Sequence, residues 1–251
     1  MHQRQKKILD MLQKGKLLIP EAAETLGVSQ MTLRRDLREL ESRKLLLQVK
    51  NGAIPHPARY EPEPVAEDEL MQCKFALANL LYDAIMPVTS LFISTGTTAL
   101  AFAKVIARRN SLPVTVITNS LPVASALFKT SCKVILLGGE LRTNSLDLIG
   151  PAAERNLLDY RVDYLVSGCD AALSEYGFYT SDVSLAQLER KSIQIAEKSA
   201  VITDSSKFSR GALTRFAALS DINLLVTDNK LAAEDLKNLQ DAKIEVLQCD
   251  C

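Results

Sequence analysis

Residues 87–104 read PVTSLFISTGTTALAFAK, and how they are parsed decides the fold. Residues 84–103 carry no charge and are long enough to span a bilayer. They also contain Pro87, Gly96 and six Ser or Thr, which a membrane helix would not gather in its middle. The parse that fits is a strand at Leu91–Ile93, a loop Ser94-Thr-Gly-Thr-Thr98, and a helix running on from Ala99. The same unit then recurs. Val114–Ile117 stops at Thr118-Asn-Ser120, Val134–Leu137 at Gly138-Gly139, and Tyr164–Val166 at Ser167-Gly-Cys-Asp170. Val201-Ile202 stops at Thr203-Asp-Ser-Ser-Lys207 and Leu224–Val226 at Thr227-Asp228, with Lys243–Leu247 as a last strand. Strands alternating with helices predict a Rossmann-like α/β domain, a mainly parallel sheet with helices on both faces. The carboxyl ends of such strands form one rim where ligands bind, and all these loops are expected to converge there.

The 251 residues suffice for two ordinary domains, and 47% apolar with 24% charged residues is a globular composition that needs no disulfide to build a core. Net charge is zero but unevenly spread: residues 1–54 hold 11 Lys and Arg against 6 Asp and Glu, a balance of +5 that the remainder offsets. A basic head on an acidic body predicts that the head alone meets a polyanion. Four of the nine prolines fall in IPHPARYEPEP, residues 54–64, which cannot continue a helix or a central strand. The expected division is a DNA-binding domain at 1–54, a linker at 55–68 and a larger domain at 69–251. Met1–Asp10 is charged with no apolar core after it, so no secretory leader is expected. The five cysteines are odd in number and scattered, which suits a reducing cytoplasm, and the terminal Cys249-Asp-Cys251 reads as a mobile tail before a metal chelate.

The head reads as three short helices and a hairpin. The first spans about His2–Gln13 and buries Ile8, Leu9 and Leu12, and an extended piece follows at Lys16–Ile19. The second starts at Pro20 and stops at Gly27, with Ala22, Ala23 and Leu26 inward. Ser29 suits the N-cap of a third helix near Gln30–Arg43. On a helical wheel Leu33, Leu37 and Leu40 share one face, and Arg34, Arg35 and Arg38 cluster opposite, with Met31 among them. Asn51-Gly52 between Leu45–Lys50 and Ala53-Ile54 is a tight-turn pair, predicting a β wing. Arginine can fork onto guanine or phosphate, and Ser29, Gln30 and Thr32 sit at the helix start where they can reach DNA. Lys50 and Asn51 of the wing are candidates for phosphate contacts. Asp36, beside the arginines, is expected to orient one of them.

With these features in place, VSQMTLRRDLREL followed by VKNGA closely resembles the N-terminal signature of DeoR-family bacterial transcription regulators. The resemblance continues in order through STGTTAL, VITNSLPVA, LLGGELR, LIGP, VDYLVSGCDA, TDSSKFSR and DINLLVTD, from His2 to about Leu247. It implies a winged helix–turn–helix joined to a sugar-binding domain similar to ribose-5-phosphate isomerase. It further implies repression of a sugar or nucleoside catabolic operon, relieved by a phosphorylated sugar. Ser94 and Ala99 depart from that family's D-x-G-T-T-T, Ala171 stands where Gly is usual, and Glu189 stands where Lys is frequent.

The glycine–threonine loop suits an anion on physical grounds as well. Amides at a helix N-terminus carry partial positive charge, Gly96 allows close approach, and Thr95, Thr97 and Thr98 add hydroxyls. It is not a Walker loop, because no G-x-x-x-x-G-K-[ST] occurs. Lys207 at another strand end supplies charge, and the resemblance places both in the ligand pocket. Asn119, Ser120 and Asp170 are candidates for sugar hydroxyls, with Gly139 leaving room and Arg142 an alternative phosphate partner. Only His2 and His56 exist, neither in the larger domain, so His-based triads and His-metal sites fail. No catalytic residue, cofactor or metal is expected. The function expected is a cytoplasmic homo-oligomeric repressor, dimer or tetramer, on double-stranded operator DNA. An isomerase-like enzyme and a ligand-independent DNA-binding protein are the alternatives.

Overall fold

The structure, a computed structural model, describes residues 3–13, 17–42, 45–49, 52–55, 69–110, 112–209 and 211–251. It divides into two units, Met1–Ala66 and Glu67–Cys251. The proline-rich stretch from residue 56 to 68 lies outside the described residues, as do Lys50 and Asn51 of the wing.

The first unit runs α1 (Gln3–Gln13), β1 (Leu17–Leu18), α2 (Ile19–Leu26), α3 (Gln30–Ser42), β2 (Leu46–Val49) and β3 (Gly52–Pro55). Ile8 and Leu12 of α1, Ala22 and Ala23 of α2, and Leu33, Leu37 and Leu40 of α3 form one core. The extended piece is shorter than expected. Ile19 is already helical and buried, and the chain leaves α2 through Gly27 at φ +64°. The wing has a third strand that periodicity could not reveal, since two residues show no alternation: β1 pairs antiparallel with β3, and β3 with β2. Asp36 corrects a sequence expectation. It is buried, and its carboxylate accepts from Arg4 Nε and Nη2 at 2.5 and 3.1 Å, not from an arginine of its own helix. The wheel explains this, because Asp36 flanks the inward leucines and so faces α1.

The second unit opens with α4 (Glu69–Ile85), β4 (Ser90–Ile93), α5 (Thr97–Arg109), β5 (Thr115–Thr118), α6 (Leu121–Leu127) and β6 (Lys133–Leu136). A hairpin, β7 (Glu140–Arg142) with β8 (Asp147–Ile149), leads to α7 (Gly150–Leu157) and β9 (Val162–Ser167). Then come β10 (Ala171–Leu173), β11 (Gly177–Thr180), α8 (Val183–Ile195), β12 (Ala196–Ile202), β13 (Thr214–Ala217), β14 (Leu224–Asp228), α9 (Ala233–Asp241) and β15 (Glu245–Cys249). The seven strands read from the sequence form one parallel sheet in the order β15–β14–β12–β9–β4–β5–β6. Alternate residues serve opposite faces: Leu91, Ile93, Val116 and Val166 pack under α4, α5 and α6, whereas Phe92, Ile117 and Leu165 pack against α7 and α8. The β7–β8 hairpin and the small antiparallel sheet β10–β11–β13 were not legible as strands of this fold.

The C-terminus is anchored, which corrects the reading of a mobile tail. β15 closes the sheet edge beside β14, and Cys251 is disulfide-bonded to Cys73 near the start of α4. A separation of 178 residues is invisible to spacing arguments.

Candidate functional site

Each unit carries one candidate. In the first, Ser29 caps α3, accepting from the Thr32 N–H at 3.1 Å, while the two hydroxyls lie 2.9 Å apart. Both residues are therefore engaged in starting the helix. Gln30, Met31, Arg34, Arg35 and Arg38 are exposed, Met31 at 79%. None of the three arginines is paired with a described residue. The helix thus buries its leucines and presents three guanidinium groups with no partner among the described residues, the kind of face that recognition helices turn to DNA.

In the second unit, strand order locates the site. The chain builds outward from β4 through β5 to β6, then returns to the other side of β4 with β9 and continues to β12, β14 and β15. The reversal between β4 and β9 is a topological switch point, where the loops after neighbouring strands part and leave a crevice. A cavity of about 570 Å³ lies there, lined by Thr95–Ala99 after β4, Gly168–Asp170 after β9 and Thr203, Asp204, Ser206 and Lys207 after β12. Gly96 stands at the N-cap of α5 with φ +117° and no side chain caps the helix, so its first-turn amides remain available. A Cβ on Gly96 would meet nothing within 4 Å, so backbone conformation, not crowding, calls for glycine.

Lys74 of α4 and Lys207 line the cavity, and neither makes an ion pair among the described residues. Arg142 also reaches it but is committed. It forks onto buried Asp147 and pairs with Asp182 at 2.9 Å. Asp182 in turn caps α8 by accepting from the Leu185 N–H at 2.8 Å, which with Arg142 holds its carboxyl below the usual range. Asp170 accepts from the Thr180 hydroxyl and the Ser181 N–H, at 3.1 and 2.7 Å. Two ammonium groups without an ion-pair partner among the described residues and an uncapped helix start are features that suit an anion.

Beneath the loop, the Ser94 hydroxyl donates to Glu189 of α8, so two of the family departures touch each other. Glu189 is buried, and its other partners are the hydroxyls of Ser192 and Ser167. Burial pushes its carboxyl from the ordinary 4.5 up to about 7, against the pull of those hydroxyls.

Of the residues expected to bind effector, Thr95, Gly96, Thr97, Thr98, Asp170 and Lys207 line the crevice, and Asn119, Ser120 and Gly139 do not. The last three follow β5 and β6, on the far side of β4 from the opening, and the β7–β8 hairpin occupies their ends. Asn119 O accepts from the Leu148 N–H at 2.7 Å, and Ser120 bridges to Asp147 while capping α6. Gly139 does leave room, but for the backbone: a Cβ there would lie 2.6 Å from Ile149 O. Lys74 escaped the sequence reading because it sits on a helix far from any loop motif and only the packing of α4 over α5 brings it to the rim. Glu189 was visible as an odd residue, with no sign of what it touches.

A helix–turn–helix head presenting arginines, joined in one chain to an α/β domain with a ligand crevice, defines a DNA-binding transcription regulator with its own sensor. Residues 4–56 match the DeoR-like helix-turn-helix domain, and residues 70–229 match the DeoR C terminal sensor domain. The chain belongs to the DeoR family. It is 31% identical to the HTH-type transcriptional repressor CsqR of Escherichia coli K12, over 94% of this chain and 90% of that protein. It is 28% identical to the glycerol-3-phosphate regulon repressor of the same strain, over 98% of each. It is 29% identical to the regulator GlpR of Haloferax volcanii, over 91% and 90%. Ribose 5-phosphate isomerase A from Methanocaldococcus jannaschii is 18% identical, with a TM-score of 0.40, covering 57% of this chain and 55% of that one. The chain is a regulator, as these named relatives are, and not an enzyme. Among the described residues no helix is long and apolar enough to cross a membrane.

Proposed function

We propose that this regulator represses an operon of sugar or nucleoside catabolism and leaves operator DNA when a phosphorylated sugar enters the switch-point crevice. The observation that carries the reading is the convergence of the uncapped start of α5 with unpaired Lys74 and Lys207. A dianionic phosphate there accepts from the amides of Thr97 and Thr98 and from both ammonium groups. Each charge-assisted hydrogen bond is worth about 1.5–3 kcal/mol. Asp170 then faces the sugar hydroxyls. A relative whose name joins a regulon to glycerol 3-phosphate fits an effector of this chemistry.

Operator recognition falls to Gln30, Arg34, Arg35 and Arg38, with Ser29 and Thr32 setting the helix start and Lys50 and Asn51 of the wing reaching phosphates. One head makes few base contacts, so specificity on a chromosome calls for two or more heads on repeated half-sites. The protein therefore acts in the cytoplasm as a homo-oligomer held through the larger domain, with residues 1–54 reading DNA and residues 55–68 linking. An effector that binds one arrangement of sensor domains better than another shifts the spacing of the heads. A gel shift on the intergenic DNA beside its own gene, with and without sugar phosphates, tests this. The complex should form without ligand and dissolve with one of them, whereas a complex indifferent to every sugar phosphate counts against it.

A further inference from the structure

Glu189 is the most deeply buried of the carboxyl groups that line the crevice. Fully buried carboxyl groups are normally met by a cation. Here Glu189 is 4% exposed, its carboxyl accepts from the Ser94 hydroxyl, and the further hydroxyls of Ser167 and Ser192 stand near it. Two of the neighbouring cations are engaged elsewhere. Arg142 is held by Asp147 and Asp182, and Lys191, two positions on, bonds Glu154 Oε2 at 2.7 Å. Glu189 still lines the cavity, together with Asp170, Asp182 and Asp204. The crevice thus holds both signs of charge, Lys74, Lys207 and the start of α5 on one hand and four carboxyl groups on the other.

We infer that Glu189 is a charge filter for the effector: it takes a hydroxyl or an amine on the part of the sugar that reaches it, and rejects a carboxylate or a second phosphate there. The inference rests on the reading of the crevice as a sugar-phosphate site. A carboxyl can accept from, or donate to, a hydroxyl, and it gains an ion pair from an ammonium group. A ligand carboxylate placed against it meets like charge, and the neighbouring Arg142 and Lys191 are already paired. Ser94 supports the filter by fixing the carboxyl beneath the loop that receives the phosphate.

Calorimetric titration of the full chain at pH 7.5, where the Glu189 carboxyl is mostly ionised, with inorganic phosphate, glucose 6-phosphate, glucosamine 6-phosphate and 6-phosphogluconate tests this. The three share six carbons and a 6-phosphate and differ in the charge they add to it; the acid is open-chain, so its response is read as the change between wild type and Glu189→Gln. The wild type should bind the sugar acid about tenfold or more weaker than the neutral sugar, and the amine at least as tightly. Glu189→Gln should improve the acid about tenfold and weaken the amine. Ser94→Ala, which removes a hydroxyl and no charge, should keep the wild-type order. If Glu189→Gln keeps that order, or the wild type favours the acid, the filter is refuted while the phosphate site stands. If no probe binds, inorganic phosphate included, the phosphate site falls and the filter falls with it.

Discussion

Ser94 and Glu189, 95 positions apart, share a hydrogen bond in the sensor interior, the serine hydroxyl donating to the carboxyl. A serine at the end of β4 thereby fixes an acid on α8 directly under the loop that begins at Thr95. An acid held by hydroxyls alone in a buried site retains its proton more readily than one in water.

That has a consequence for stability. The Glu189 carboxyl is raised from 4.5 to about 7 by burial. Between those values the folded chain holds a proton that the unfolded chain has lost. Glu189 therefore makes stability fall as pH rises through this window and level off above it, by about 3 kcal/mol at most. Glu189→Gln lacks this loss. In thermal melts at pH 5 to 8, its melting temperature should gain on the wild type as pH rises, with most of the gain reached by about pH 7.

Lys207→Ala and Lys74→Ala should each weaken binding of a sugar phosphate by about 10- to 100-fold, the worth of one charge-assisted hydrogen bond. The readout is calorimetry, with circular dichroism as the check on folding. The operator complex of either variant should resist release at ligand concentrations that free the wild type.

Arg34→Ala, Arg35→Ala and Arg38→Ala should each cost operator affinity, about 1–3 kcal/mol where the arginine forks onto a guanine. An arginine on phosphate would instead weaken all sequences alike and flatten the salt dependence. Gel shifts on operator and scrambled DNA across a salt series separate the two roles, and the exposed positions predict unchanged melting.

Arg4→Ala should destabilise the first unit, because it leaves the buried carboxylate of Asp36 without its two donors. Asp36→Ala should cost no more, and the double variant should cost less than the sum. Denaturant melts of the four proteins complete the cycle.

The two glycines of the rim should separate folding from ligand response. Gly139→Ala drives a Cβ to 2.6 Å from Ile149 O at φ +147°, and should lower stability by about 1–3 kcal/mol. Gly96→Ala meets no neighbour, so its loss beyond backbone strain should appear in sugar-phosphate affinity. Melting and calorimetry on both variants read the contrast.

Local physics is legible in a linear string, which is why much of this protein was. The seven parallel strands, the leucine and arginine faces of α3, the stop at Gly27 and the loop at Ser94–Thr98 follow from periodicity and residue type, whose effects act within a turn or a strand. Which loops form the site is not of that kind. It depends on strand order, and only the return of β9 to the far side of β4 put the crevice beside Asp170 and Lys207 and left Asn119, Ser120 and Gly139 behind a hairpin. Lys74, the Arg4–Asp36 pair, the Cys73–Cys251 bond and the meeting of Ser94 with Glu189 likewise join positions that no local rule connects. Such partners are chosen by the packing of whole elements, whose energy is shared over many contacts and written in no single stretch of the chain.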